Sequence, residues 1–463
     1  MMCAFSTFET PLAAMTRRDA LRVVAGSLVC SLAYAAPVLR LATFRADATP
    51  PLGEPDIWNV PLAKVEEPLL AKGLVLEDAN TRYVLCAIDW CKLSNGSELT
   101  FRRKIAAAAD TDPLRVAVRT LHQHAAPGAD SDTNKLLDEA PNPPLHLSDK
   151  FLEDVTDRLA AAVKQAVTDL QPFDRIGTGE AKVDRVASTR RIHGPEGKII
   201  VRFSGGGSNP KLAAAPEGFI DPMLKTITLA SGRKPLVRLH YYATHPQTWS
   251  SRAGLASSDI VGIARETLER DEKVFQIYFT GCAGNVTVGK YNDGTPAARE
   301  GLMQRLRAGM EAAIASTRFA PARRLRWRTV PLTLPLRTYP GHTPADFRRR
   351  LEDPEGKVES RVGNARALAF AERIQRPLAL SSLEMGKVHI LHLPGEPFLE
   401  FQMYAQQLKP RDFVVVAGYG DCGTGYICTD QAFVEGGYEP TGANVGPGSE
   451  ALLKKAIRQL LGE

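Results

Sequence analysis

Six apolar, β-branched or aromatic runs in this chain each stop in a Gly- or Pro-containing turn that carries a polar side chain. Arg82–Ile88 stops at Asp89, Leu114–Thr120 at His122 and His124, and Leu236–Ala243 at His245-Pro246. Val274–Thr280 stops at Gly281-Cys282-Ala283-Gly284-Asn285, and Lys387–Leu393 at Pro394-Gly395-Glu396-Pro397. Phe413–Ala417 stops at a loop with nine glycines between Gly418 and Gly448. Runs of this length and composition read as strands. Side chains placed just beyond strand ends are where α/β proteins gather a site from distant sequence. Helical periodicity fills the intervals. Ser148 caps a helix whose apolar face is Leu152, Val155, Leu159, Ala162, Val163 and Val167. Leu302, Leu306, Met310 and Ile314 mark a second helix, and Ala451–Leu461 a third. The expected fold is α/β, with mixed, mostly antiparallel sheets flanked by helices. No internal repeat is evident. Residues 338–376 are charged, Arg-rich and punctuated by proline, and read as an insertion with helical pieces.

Of the 463 residues, 44% are hydrophobic and 24% charged, which excludes a disordered or fibrous chain. The net charge of +6 is scattered, its densest runs being Arg102-Arg103-Lys104 and Arg348-Arg349-Arg350. With no basic arm and no interleaved aromatics, nucleic acid is not an expected partner. Beyond the N-terminus no apolar run is long enough to span a bilayer, and no Lys-rich amphipathic helix points to membrane docking. At the N-terminus, Thr16-Arg17-Arg18-Asp19-Ala20-Leu21 precedes an apolar stretch from Val23 to Ala36, with Ala33-Tyr34-Ala35 as a small-x-small cleavage pattern. This resembles a twin-arginine (Tat) export signal over residues 1–35. It implies the Tat machinery as a partner, a mature chain of residues 36–463, and a periplasmic or secreted location. Beyond the signal stand Cys86, Cys91, Cys282, Cys422 and Cys428, an odd and widely spaced set unlike a disulfide scaffold or a zinc ribbon. Cys422 and Cys428 could bridge in an oxidising compartment, and nothing in the sequence forces it.

His122 and His124 are two apart, so an extended segment projects both imidazoles to one side. His245 is directed by the turn at Pro246, and Glu396 is pinned between Gly395 and Pro397. Three nitrogen or oxygen ligands from separate strands suit a catalytic zinc with an open position for water. His240, His389 and His392 fall inside strand patterns and read as core or ladder residues, while His146, His193 and His342 lie in polar loops. Gly418-Tyr419-Gly420-Asp421-Cys422-Gly423 matches GxGxxG literally. No helix pattern opens after it and no strand follows at the right distance, so it is not a dinucleotide fingerprint.

The order of these blocks resembles the neutral, non-lysosomal ceramidase family, particularly its compact bacterial members. Arg45–Gly53 is similar to the family's opening strand and its Thr-Pro-Pro turn, and Pro68–Asp78 with Arg82–Asp89 to its first hairpin. Residues 121–128 match a Thr-His-Thr-His-Ser-Gly-Pro signature in spacing. Ser188-Thr189-Arg190-Arg191 resembles an Asn-Arg element, Ala243-Thr244-His245-Pro246 an Ala-x-His-Pro element, and Pro394-Gly395-Glu396-Pro397 an identical block. Gly425-Tyr426 and Glu435–Glu439 resemble the tyrosine loop, with its second tyrosine at Tyr438. The resemblance implies a zinc (Zn2+) amidohydrolase acting on a small N-acyl or lipid-like substrate, ceramide among them. It implies zinc ligation by His122, His245, Glu396 and Tyr426. His124 and Arg190 would orient or stabilise the reacting oxygen, with Tyr438 beside the metal.

Two departures bear on the substrate. Where characterised ceramidases carry Gly-Asp-Val-Ser-Pro-Asn with a serine assigned as nucleophile, this chain has Gly284-Asn285-Val286-Thr287-Val288-Gly289. Thr287 retains a hydroxyl for attack or for orienting water, but an acid is lost at Asn285. The family's C-terminal immunoglobulin-like domain is not expected here, because only a helix pattern, Ala451–Leu461, is read after the tyrosine loop. Two other readings stand beside the amidase. One is a metal hydrolase with a different bond specificity (glycoside, ester or lactone, or deacetylase), and the other is a catalytically silent exported binding protein.

Overall fold

The computed structural model describes residues 38–249 and 253–463, so the segment read as an export signal lies outside the described residues. Three sheets organise the chain, and each is mixed but mostly antiparallel. The first sheet has the order Val116–Thr120, Thr81–Ile88, Leu70–Asp78, Arg40–Asp47, Gln171–Pro172. The central sheet has the order Phe275–Thr280, Lys234–Tyr242, Met223–Ser231, Arg175–Lys182, Arg318–Pro321. The third runs Phe413–Ala417, Val388–His392, Leu378–Met385, Arg326–Leu332.

In every sheet the edge strand named first is parallel to its neighbour, and the remaining pairs are antiparallel. A parallel neighbour needs a long crossover. Here the crossovers contain the helices Asn95–Ala109, Asp259–Glu272 and Leu399–Leu408, one per sheet. In the first two sheets a second helix, Asp149–Thr168 or Pro296–Ala315, precedes the strand at the far edge. The chain therefore repeats one topology, which corrects the expectation of no internal repeat. That plan requires only similar alternation of apolar and polar residues between similarly placed turns, so the residues themselves need not match.

Burial explains the strand sequences. In Phe413–Ala417, Val415 and Ala417 enter the large central core while Val414 and Val416 pack into a second cluster with the C-terminal helix Ser449–Leu461. A strand covered on both faces reads as an uninterrupted apolar run. The first sheet likewise sends Leu74, Leu85 and Ala87 to the central core and Val75, Val84 and Ile88 to the cluster shared with the helices Asn95–Ala109 and Asp149–Thr168. Ser148 caps the latter helix by accepting from Phe151 N at 3.2 Å, and Leu152, Val155, Leu159 and Val163 are buried beneath it. Within 338–376 two helices form, Pro344–Leu351 and Val358–Glu372, joined to Leu136 and Leu137 through a small apolar cluster of their own.

The three edge strands meet at their C-terminal ends. Thr120 N donates to Tyr419 O at 3.0 Å, Gly418 N donates to Thr280 O at 3.0 Å, and Thr280 Oγ1 donates to Leu121 O at 2.7 Å, closing a ring of three strand ends. The polar turns that follow are thereby held around one point.

Candidate metal centre

At that point His122 Nε2 lies 3.0 Å from His245 Nε2 and 3.2 Å from Glu396 Oε2, and the third edge, His245 Nε2 to Glu396 Oε2, measures 3.4 Å. All three side chains are buried. The other nitrogen of each ring faces a backbone carbonyl, His122 Nδ1 at 2.8 Å from Cys91 O and His245 Nδ1 at 2.6 Å from Ala283 O. A carbonyl can only accept, so Nδ1 carries the proton and the neutral ring turns a bare lone pair inward from Nε2. Two imidazole lone pairs and a carboxylate oxygen thus face one another with no hydrogen to share. A tetrahedral zinc with bonds of ~2.0–2.1 Å has ligand-to-ligand edges of ~3.3 Å. The donor set and its spacing fit such an ion, and backbone acceptors behind ligating histidines are the usual orienting arrangement.

Local backbone builds this triangle. Gly395 has φ +62°, and a Cβ there would collide with Thr424 Oγ1 and Gly425 O, so only glycine passes the chain into Glu396. Glu396 then pairs in parallel register with Tyr426, and His245 forms a bridge with Thr287. The extended geometry expected for His122 to His124 is not what forms. The strand ends at Thr120, and His122 takes the left-handed φ of +66°, strain of ~1–3 kcal/mol for a residue with a Cβ. The two rings remain neighbours, edge to face at 4.9 Å.

Charge surrounds the triangle in layers. Lys92 Nζ holds Glu396 Oε1 at 2.8 Å. Burial opposes the charge on Glu396, but Lys92 leads the interactions that outweigh it, and the carboxyl is held well below its ordinary range. Burial, then the Arg190 guanidinium, press His245 down to about 3. Arg190 NH1 donates to Tyr426 Oη at 2.8 Å, and its guanidinium lies 5.7 Å from the ring centres of both Tyr426 and Tyr438. Burial pushes the Tyr426 phenol well above its usual range, with Arg190 working against that. His124 is half-buried and neither of its ring nitrogens has a protein partner. Together with Arg190, Tyr426 and Tyr438 it lines a cavity of about 340 Å³ that also carries Trp58, Phe203 and Trp249.

This arrangement sits on a known scaffold. The chain superposes on the crystal structure of neutral ceramidase from Pseudomonas aeruginosa with a TM-score of 0.66 at 16% identity, over 91% of this chain and 73% of that one. It superposes on a ceramidase complexed with C2 with a TM-score of 0.67 at 16% identity, over 91% and 74%. The chain has the neutral-ceramidase fold. No family model and no curated protein sequence matches it.

Within the neutral-ceramidase fold, the two altered residues of the Gly284–Gly289 block have local partners. Asn285 Oδ1 accepts from Leu399 N at 2.9 Å and its Nδ2 donates to Glu400 Oε2 at 2.9 Å. An aspartate would lose the second bond and set two carboxylates together, so the amide at 285 is matched to Glu400. Thr287 is fully buried, with its Oγ1 accepting from Gly289 N at 3.2 Å and donating to Ser204 Oγ at 3.4 Å. Ser204, unlike Thr287, lines the aromatic cavity.

Several participants were not singled out as site residues from the sequence. Tyr419 stacks on His122 with ring centres 4.3 Å apart, and its hydroxyl is 3.4 Å from His245 Nδ1. Cys91 places Sγ 3.8 Å from His122 Nδ1. Glu439, fully buried, accepts from Arg191 NH1 at 2.9 Å and lies 3.9 Å from Arg190 Nε. Cys91, Lys92 and Tyr419 had only a positional cue, each standing just beyond one of the six strands. Asp89 points elsewhere, into a bidentate pair with Arg265. His240, His389 and His392 bond to Gln276, Asp412 and Ser381 inside the sheets. The literal GxGxxG forms a three-residue 3-10 turn, Cys422–Thr424, and opens no helix. All five described cysteines are free thiols, Cys422 and Cys428 included.

Proposed function

We propose that this chain is a zinc-dependent hydrolase of the neutral-ceramidase type that cleaves the amide bond of an N-acyl, lipid-like substrate. The carrying observation is the triangle of three buried acceptors, His122 Nε2, His245 Nε2 and Glu396 Oε2, with edges of 3.0 to 3.4 Å and no hydrogen among them. The triangle supports ligation by these three residues, and the register pairing of Glu396 with Tyr426 supports the phenol as a fourth ligand. Zinc bound there would supply a Lewis acid and lower the pKa of a water to about 7.

The chain's own groups account for the rest. The substrate's acyl part enters the cavity walled by Trp58, Phe203, Trp249 and Tyr438. Arg190, kept charged by Tyr426 and Glu439 against its burial, faces the oxygen on which negative charge develops, and the Tyr426 hydroxyl stands beside it. His124, with both ring nitrogens unpartnered, offers a donor on one side and an acceptor on the other to the reacting amide. The solution setting proposed is outside the cytoplasm after Tat export. No helix of the described residues is long and apolar enough to cross a membrane.

Metal analysis and an N-acyl substrate screen test this. The full chain should carry about one zinc per molecule, lose it on His245→Ala, and release fatty acid from a fluorescent N-acyl sphingoid or a simpler N-acyl amine. Protein that binds no divalent ion, or that binds zinc yet turns over acylated sugars and esters while leaving amides intact, would overturn the assignment. Replacing Arg17 and Arg18 by Lys should retain the precursor in the cytoplasm, and unchanged export would remove the Tat route.

A further inference from the structure

Behind Lys92, the residue that grips the triangle's carboxylate, lies a second chamber. A polar cavity of about 400 Å³ lies between the ligand shell and the helices Pro344–Leu351 and Val358–Glu372. Lys92 forms part of its wall and grips Glu396 Oε1, while the other oxygen of the same carboxylate belongs to the triangle. Tyr438 borders this chamber and the aromatic cavity alike. Tyr438 is thus shared by the two spaces, and the Lys92–Glu396 contact links the chamber wall to the triangle.

From the helix Val358–Glu372, Arg366 reaches into this chamber. Its NH2 comes within 3.8 Å of where a Cβ on Gly128 would stand, beside the Lys92 stem at 3.7 Å from the same point. Arg366 is half-buried and has no hydrogen bond or ion pair to any described residue. Two acids also line the chamber, Asp130 and Glu359. The Asp130 carboxylate is already taken, by Asn95 Nδ2 and Thr133 Oγ1 at 2.7 Å each and by the amides of Asp132 and Thr133. The other arginine of the wall, Arg350, donates only to Gly341 O, at 2.6 Å. The Arg366 guanidinium keeps some access to solvent, with Asp130 as its neighbouring charge, so it is free to bond a ligand entering the chamber, and its planar fork matches a carboxylate two bonds at a time.

We propose that this chamber receives a carboxylate on the amine half of the substrate, so that the preferred substrates are N-acyl amino acids, with Arg366 as the residue that selects them. The acyl chain occupies the aromatic cavity, the amide lies at the triangle, and the acidic head sits between Arg366 and Lys92. Hydrolysis adds water across the C–N bond, the hydroxyl going to the acyl carbon and the proton to nitrogen, to give a fatty acid and a free amino acid. This rests on the amide-hydrolase reading above and narrows its substrate class.

The test compares N-dodecanoylglycine with its neutral counterpart N-dodecanoylethanolamine on zinc-loaded full chain. The acid should be favoured in kcat/KM by about 10- to 100-fold, the range of a charge-assisted bidentate contact. Arg366→Gln should erase that preference while leaving the neutral amide within about twofold of wild type, and Arg366→Lys should restore part of it. Equal rates on both substrates, or a variant that slows both alike, would overturn the proposal. Equilibrium binding keeps it separable from the hydrolase reading. N-dodecanoylglycine should bind in an Arg366-dependent way even if no amide is cut, and a chain that hydrolyses neutral amides but shows no selective binding of the acid refutes the chamber's role alone.

Discussion

The inner strand of each parallel pair ends in a buried polar cluster, and the three ends are not alike. In the first sheet the chain passes from Ile88 to Asp89, whose two oxygens take Arg265 NH1 and NH2 at 2.7 and 2.8 Å, with Leu70 N donating to Oδ2 at 3.0 Å. In the central and third sheets the corresponding ends lead to His245 and Glu396, where acceptors confront acceptors. Burial does not separate these clusters, since Asp89 and His245 are both fully buried. The balance of donors and acceptors does. A buried carboxylate whose lone pairs all meet donors is a strut, whereas three facing lone pairs require a cation.

Removing a donor from the closed cluster should produce the largest effect on folding. Arg265→Met leaves Asp89 charged and alone in the interior, and should lower stability in urea unfolding by ~3–5 kcal/mol. Zinc content of the folded fraction should not change. A variant that unfolds normally but loses zinc would mean that Asp89 belongs to the metal centre after all, and the contrast between the two strand ends would collapse.

His240 sharpens the comparison from within one strand, five positions before His245. It is satisfied as a neutral ring, with Thr226 Oγ1 at 2.9 Å and Gln276 Oε1 at 2.7 Å. Burial chiefly, and Arg238 in addition, press it down to about 4, with the Gln276 contact opposing. Because the folded value lies below the unfolded one of ~6.5, its contribution is fully present above that pH and is lost as pH falls through 6.5 toward 4. The loss has a ceiling of ~3 kcal/mol. Urea midpoints measured on metal-free protein between pH 7.5 and 4.5 should fall along this window, and His240→Gln should flatten the slope. An unchanged slope in that variant would assign the pH response to other groups.

Much of the centre was legible because its signal is a change of pattern. A strand that stops at Pro394-Gly395-Glu396-Pro397 announces both the turn and the side chain it delivers, and His245-Pro246 does the same. The orienting carbonyls of Cys91 and Ala283 left no trace, since a backbone acceptor has no side-chain identity. The left-handed turns at His122 and Tyr419, φ +66° and +56°, were hidden for a related reason. Neither is glycine, and the fold imposes the strain rather than local preference. The repeated topology escaped because Asp89, His245 and Glu396 occupy similar places with different chemistry. Arg366 lay in a segment read only as charged, where nothing in the sequence distinguishes the guanidinium left without a partner from those that bond to carbonyls or acids.

Thr287 should give the smallest effect, and it separates two readings of its hydroxyl. As a nucleophile it would need to stand free in the cavity, but its Oγ1 is engaged by Gly289 N and Ser204 Oγ, and its backbone bridges to His245. That geometry makes it a residue that positions the His245 turn and the Ser204 hydroxyl. Thr287→Ala should then reduce kcat by less than about tenfold, in line with a lost hydrogen bond of ~1 kcal/mol, with zinc content preserved and Thr287→Ser near wild type. A loss on the order of 10³-fold at full zinc occupancy would instead make Thr287 the attacking group. The chemistry would then rest on the turn after the central sheet's edge strand, rather than on the triangle of His122, His245 and Glu396.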